Sequence, residues 1–149
     1  MEVKKILCAV DLEDTIAPSV EYAKMMASMT GASILVAYVI PAHTPYEDVY
    51  LSVNNQPNEV NNPNEPIQKS MNALLAEQFA GMDATGVILV GRPSEELVKL
   101  AEEKGANLIV MGTHGRAGFD RLLFGSVAHE VVRAAPCPVM TVRPLMPKK

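Results

Sequence analysis

A chain of 149 residues that is 48% hydrophobic and 20% charged has enough apolar surface for the core of one domain. Its formal net charge of -4, without any block of basic residues, argues against a nucleic-acid or anionic-membrane surface. The N-terminal apolar run Ile6 to Val10 is too short for a signal h-region or a membrane span, so a cytoplasmic protein is expected.

In chain order, apolar runs alternate with amphipathic segments. The first run, KILCAVD, reads as a strand ending at Asp11. A helix is predicted over Ala17 to Met29, with Pro18 tolerated in its first turn and Gly31 as its stop. The second strand is SILVAYVI, Ser33 to Ile40. Residues 41–65, rich in Pro, Asn and Glu, form a long connection. A second helix starts near Pro66 and ends at Gly81, with Ile67, Met71, Leu74, Leu75 and Phe79 on one stripe. Thr85 to Gly91 is the third strand. The third helix opens on Pro93-Ser94-Glu95-Glu96, whose carboxylates suit the positive end of a helix dipole, and Gly105 closes it. Asn107 to Gly112 is the fourth strand. A fourth helix runs from Ser126 to just before Pro136; Val127, Val131 and Ala135 share a stripe, flanked by Ala128 and Val132. Pro138 to Arg143 is the fifth strand. The nine methionines read as adaptable core filling. Cys8 and Cys137 form no CxxC pair and have no His at metal-ligand spacing, so both are expected as reduced thiols without a catalytic role.

Strands alternating with helices predict a doubly wound α/β fold: one five-stranded parallel sheet with helices on both faces, in a single domain over 1–149. Ligands of such folds bind outside the carboxyl ends of the strands, where the strand order reverses. The stretch GTHGRAGFDRLLFGS, residues 112–126, leaves the fourth strand and enters the fourth helix, so it belongs at that place. Glycines let backbone N–H groups approach an anion, and the helix opened at Gly125-Ser126 presents free N–H groups and a dipole that favour phosphate. Ser126 serves there as N-cap or as a hydroxyl donor, and Arg116 and Arg121 supply charge-assisted bonds. Spacing alone leaves a second reading open, a glycine-rich turn with an ordinary cap. The stretch is neither a Walker A loop nor a G-x-G-x-x-G fingerprint.

The pattern Gly112-x2-Gly115-x9-Gly125-Ser126 resembles the nucleotide-binding signature of the universal stress protein family. Its surroundings are similar too: NLIVMGTHGRAG before, LLFGSVAHEVVRAAPCPVMTVR after, and KKILCAVD at the first strand. The resemblance covers nearly the whole chain outside 41–65. It implies a Rossmann-like fold of the adenine nucleotide alpha hydrolase-like type, with ATP lying across the strand ends. By position, Ala9 and Asp11 match first-strand adenosine contacts, and Val39 matches a residue whose backbone holds adenine. Met111 and Gly112 would lie near the ribose and α-phosphate, and Gly115, Arg116, Gly125, Ser126 and Val127 around the phosphates. One departure concerns the turn after Asp11. Many members have Gly-Ser or Phe-Ser there, and this chain has Leu12-Glu13-Asp14. The two added carboxylates either repel a polyphosphate or help to hold Mg²⁺.

The remaining candidates are ambiguous by residue type. His114 reads as an acid or phosphate donor, or as a loop residue bonding the backbone. Asp120 beside Arg121 reads as steering water or metal, or as a surface ion pair. Asp11 faces the ligand crevice, or makes an Asx turn or caps the first helix. No Ser-His-Asp set, paired carboxylates or poised base for an attacking water is evident. The expected protein is therefore an ATP-binding switch or regulatory module, which the resemblance places in stress response, with at most slow hydrolysis. A slow ATPase or autophosphorylating enzyme, a nucleotide-free interaction protein and a binder of AMP or a cyclic nucleotide stay open. The fifth strand falls at a sheet edge, which invites pairing. The resemblance implies a homodimer through antiparallel pairing of Val139 to Val142.

Overall fold

The computed structural model describes residues 2–12, 17–41, 65–113 and 126–143. Its elements are β1 (Lys5–Ala9), α1 (Pro18–Thr30), β2 (Ser33–Pro41), α2 (Glu65–Gln78), β3 (Ala84–Gly91), α3 (Pro93–Lys104), β4 (Leu108–Gly112), α4 (Ser126–Ala134) and β5 (Val139–Val142). The strands form one parallel sheet in the order β3-β2-β1-β4-β5.

Side-chain alternation along the strands divides the core in two. Ile6, Cys8, Ile34, Val36, Ile88 and Val110 meet α1 (Val20, Ala23, Ala27) and α2 (Met71, Leu74) on one face. Leu7, Ala37, Val39, Leu89, Ile109 and Met111 meet α3 (Leu97, Leu100, Ala101) and α4 (Ala128, Val131) on the other. The chain moves outward from β1 to β3 with its helices on the first face. It then crosses to β4 and β5 with its helices on the second, so direction and face change together and the crossovers keep one hand.

The local signals act as their chemistry dictates. Pro18 stands at the start of α1, and Gly31 ends it in the left-handed conformation at φ 76°, its N–H donating to Ala27 O. Differences from expectation lie at element ends, on one flank and among the methionines: Met71 and Met111 fill the core, whereas Met25 and Met29 of α1 are 45% and 73% exposed. β1 ends at Ala9 rather than Asp11, although the Val10 N–H still donates to Ala37 O at 2.9 Å. α2 ends at Gln78, three residues before Gly81, and Met82 N–H turns back onto Phe79 O. Of the two residues flanking the α4 stripe, Ala128 is buried and Val132 is 54% exposed, because a single face of that helix meets the sheet. No described helix is long and apolar enough to cross a membrane.

Both cysteines are free. Burial pushes the Cys8 thiol up to about 12, and partial burial raises that of Cys137. An alkylating reagent at pH 8 is therefore expected to label Cys137 in the folded protein and Cys8 only after unfolding, read by peptide mass spectrometry. The linkage has a definite sign. Unfolded Cys8 loses its proton near 9, whereas folded Cys8 keeps it to about 12. Its contribution to stability is complete below pH 9 and is lost as pH rises from 9 toward 12.

Candidate functional site

The reversal point lies at the centre of the sheet. β1 and β4 are neighbours, yet β1 leads to α1 on one face and β4 leads to α4 on the other. In doubly wound folds such a reversal is the place where a ligand crevice lies, outside the carboxyl ends of the strands.

Register brings the expected residues to this place. Ala9 pairs with Ala37 and Cys8 with Val110, so Ala9 stands level with Met111 between β2 and β4. Val39 follows two residues beyond Ala37 on β2. Met111 and Gly112 close β4, paired with Thr141 and Val142. The Thr113 N–H donates to Val142 O at 3.0 Å, which carries the ladder one residue further. Asp11, half-buried, follows β1 at the same end. The N-cap position of α1 is Ala17, without a side-chain cap bond. Ser126 is the first residue of α4 and is exposed; Val127 is half-buried beside it.

Ala9, Val39, Met111 and Val127 all belong to the core on the α3/α4 face. Val39 and Met111 are 8% and 4% exposed, so their side chains are committed to packing. Their backbone groups stand toward the carboxyl ends of β2 and β4. Gly115, Arg116 and Gly125 lie outside the described residues, as do Glu13, Asp14, His43, His114, Asp120 and Arg121. His129 is exposed on α4.

The electrostatics of the two helices on this face differ. α3 carries Glu95 and Glu96 in its first turn, which occupy the positive end of its dipole. α4 has no acidic residue in its first turn and carries Arg133 in its last. Among the described residues, no group of three or more His, Cys, Asp or Glu could hold a metal ion.

Three polar residues here escape a reading of sequence. Ser94 is 5% exposed and donates a hydrogen bond from its Oγ to Glu130 Oε2 on α4. Glu96 is 2% exposed and packs against the Cα of Gly91. Its one signal in sequence is its place four residues before Leu100, on the buried face of α3. Glu130 has none, since its partner lies 36 positions away. Elsewhere, a groove of about 560 Å³ runs between α1 and β5, lined by Pro18, Glu21, Tyr22 and Met140 to Arg143. It shares no residue with the crevice.

Comparison with known proteins is consistent across sequence and structure. The model of the universal stress protein family matches residues 2–143. A universal stress protein of Methanocaldococcus jannaschii is 33% identical, over 98% of this chain and 84% of its own length. Among solved structures, a universal stress protein in complex with cAMP superposes with a TM-score of 0.68 at 23% identity, covering 96% of this chain and 98% of that one. A universal stress protein from Archaeoglobus fulgidus in complex with dAMP gives 0.59 at 22% identity, covering 95% and 98%. At these identities the two structures speak for the fold.

Proposed function

The chain belongs to the universal stress protein family, and from that premise we propose that it binds ATP in the crevice between the ends of β1 and β4. The observation that carries this reading is the convergence of Ala9, Asp11, Val39, Met111 and Gly112 on the reversal point, beside a helix whose first turn has no acid. Backbone groups at Ala9 and Val39 hold the adenosine, and Gly112 stands near the α-phosphate. Gly115, Arg116, Gly125, Ser126 and Val127 surround the phosphates. Bound nucleotide orders the 112–126 segment and changes the surface a partner meets, which makes the protein a cytoplasmic regulatory switch in stress response.

Mg²⁺ accompanies the polyphosphate in this reading, with Glu13 and Asp14 as its nearest candidate carboxylates in sequence. The test is isothermal titration of nucleotide-stripped protein with ATP, with and without Mg²⁺. A second reading, an adenine mononucleotide, is favoured by the cAMP and dAMP carried by the two similar structures. The same titration with AMP, cAMP and dAMP separates the two.

The protein also pairs with itself through β5. This strand is a sheet edge. Its Pro138 and Val142 carbonyls accept from Ile109 and Thr113 on the inner side. Backbone groups alternate in direction along a strand, so those of Val139 and Thr141 point to the open edge. Thr141→Pro removes an outward N–H and spares the β4–β5 ladder. Light scattering at micromolar concentration is expected to give twice the chain mass for the unaltered protein and one chain mass for this variant. A monomer from the unaltered protein sinks the pairing.

A further inference from the structure

We infer that the hydrogen bond from Ser94 to Glu130 is a positioning tie that sets where the first turn of α4 stands at the crevice, and through it the affinity for a nucleotide's phosphates. The inference rests on the nucleotide reading above and adds two residues that do not touch the ligand.

The tie joins a fixed element to a lightly held one. α3 begins immediately after β3, and its first turn is locked there. Glu96, 2% exposed, packs so closely on Gly91 that a Cβ at that glycine would lie 2.7 Å from Glu96 Oε1. Ser94, 5% exposed, stands in the same turn. α4 has nine residues, of which Ala128 and Val131 are fully buried. Apolar packing holds such a helix against the sheet but is non-directional, and permits rotation and sliding about its axis. A hydrogen bond to a carboxylate is directional and stronger than one between neutral groups. The hydrogen bond from Ser94 Oγ–H to Glu130 Oε2 joins α3 to α4.

Its position on α4 matters. Glu130 lies four residues after Ser126, one turn further along the same helix face. A rotation or shift of α4 that breaks the bond moves Ser126 and the free N–H groups of the first turn with it. The bond also commits the Glu130 carboxylate to α3, away from the anion-binding end about 6 Å up the axis.

The experiment is titration of the full chain with ATP, comparing Ser94→Ala, Glu130→Ala, Glu130→Gln and the double alanine variant. Ser94→Ala and Glu130→Ala are each expected to weaken ATP binding by about fivefold to tenfold. The double variant should be no worse than either single one, because one bond is lost in all three. Glu130→Gln keeps an acceptor for the serine and should bind within about twofold of the unaltered protein. Amide hydrogen exchange in the nucleotide-free state is expected to quicken in α4 of Ser94→Ala and to stay unchanged in α3. Unchanged affinity in Ser94→Ala overturns the tie. So does tighter binding in both Glu130 variants, which would make Glu130 a repelling charge. If the unaltered protein binds ATP and only the tie fails, the nucleotide reading stands. If the unaltered protein takes up no adenine nucleotide, both fall.

Discussion

ATP titrated into nucleotide-free protein is expected to bind with a Kd in the micromolar range or below, and Gly115→Val combined with Gly125→Val to weaken it by at least about 100-fold. A phosphate held by backbone N–H groups needs close approach of the main chain, and a β-branched side chain at a glycine blocks both the approach and the positive φ that such loops use. In the proposed reading, the rest of the site comes from strands and a helix already in place: Met111 and Gly112 closing β4, Ala9 beside them, and Ser126 opening α4. The loss should therefore appear in affinity. The melting temperature of the nucleotide-free variant should stay near that of the unaltered protein, and addition of ATP should raise it only in the latter. Dependence on Mg²⁺ decides what Leu12-Glu13-Asp14 does. Affinity that rises with Mg²⁺ and falls in Glu13→Ala and Asp14→Ala places the metal beside those carboxylates. Affinity that rises in the alanine variants without metal makes them a source of repulsion. No heat from the unaltered protein, with an unchanged melting temperature, would falsify the nucleotide reading and direct the search to protein partners.

The second large effect concerns stability. Gly91→Val is expected to destabilise the fold by about 3–5 kcal/mol, a fall of roughly 10 °C in melting temperature for a chain of this size. Two costs coincide at this position. Gly91 has φ +149°, a conformation L residues rarely adopt, and a Cβ there would lie 2.7 Å from Glu96 Oε1 and 2.8 Å from its Cγ. Glu96 is 2% exposed, so its side chain cannot swing aside without disturbing the packed interior. The variant must either push a buried carboxylate out of its place or tilt α3 away from the sheet. Glu96→Ala in the Gly91→Val background removes the collision and leaves the backbone strain, so the double variant should recover part of the lost stability. Thermal melts of the four proteins measure the coupling. Additive effects would show that the close packing of Gly91 and Glu96 does not govern this corner.

Most of the architecture was legible before any coordinates. The apolar runs at Lys5, Ser33, Thr85, Asn107 and Pro138 became the five parallel strands, with boundaries within two residues. Stop signals at Gly31 and Gly105, both in the left-handed conformation, ended α1 and α3 where a glycine is the residue best suited to do so. The stripe of Ile67, Met71, Leu74, Leu75 and Phe79 is the face α2 turns to the core. These features are local. Burial of an apolar stripe and relief of backbone strain are written in residues a few positions apart, and they act whatever the rest of the chain does.

For the candidate site, the sequence spoke to position and was silent on side-chain contacts. The order of elements placed residues 112–126 at strand ends, and the family resemblance proposed the ligand. The continuous apolar runs of β2 and β4 marked them as strands of a parallel sheet covered on both faces. What decided that Val39 and Met111 turn their side chains to the α3/α4 face, leaving backbone for a ligand, was the register of neighbouring strands. Register is a pairing between residues tens of positions apart. Glu95 and Glu96 read alike as first-turn acids of α3, yet Glu95 is exposed and Glu96 is buried on Gly91. Ser94 and Glu130, 36 positions apart, meet because α3 and α4 cover the same face. The sequence by itself determined the elements, their order and the end of the sheet where a ligand belongs, since each follows from short-range periodicity and turn chemistry. Only the tertiary structure decided which polar side chains are drawn into the packed helix pair beside that end, because such contacts depend on the relative placement of two helices that no local pattern encodes.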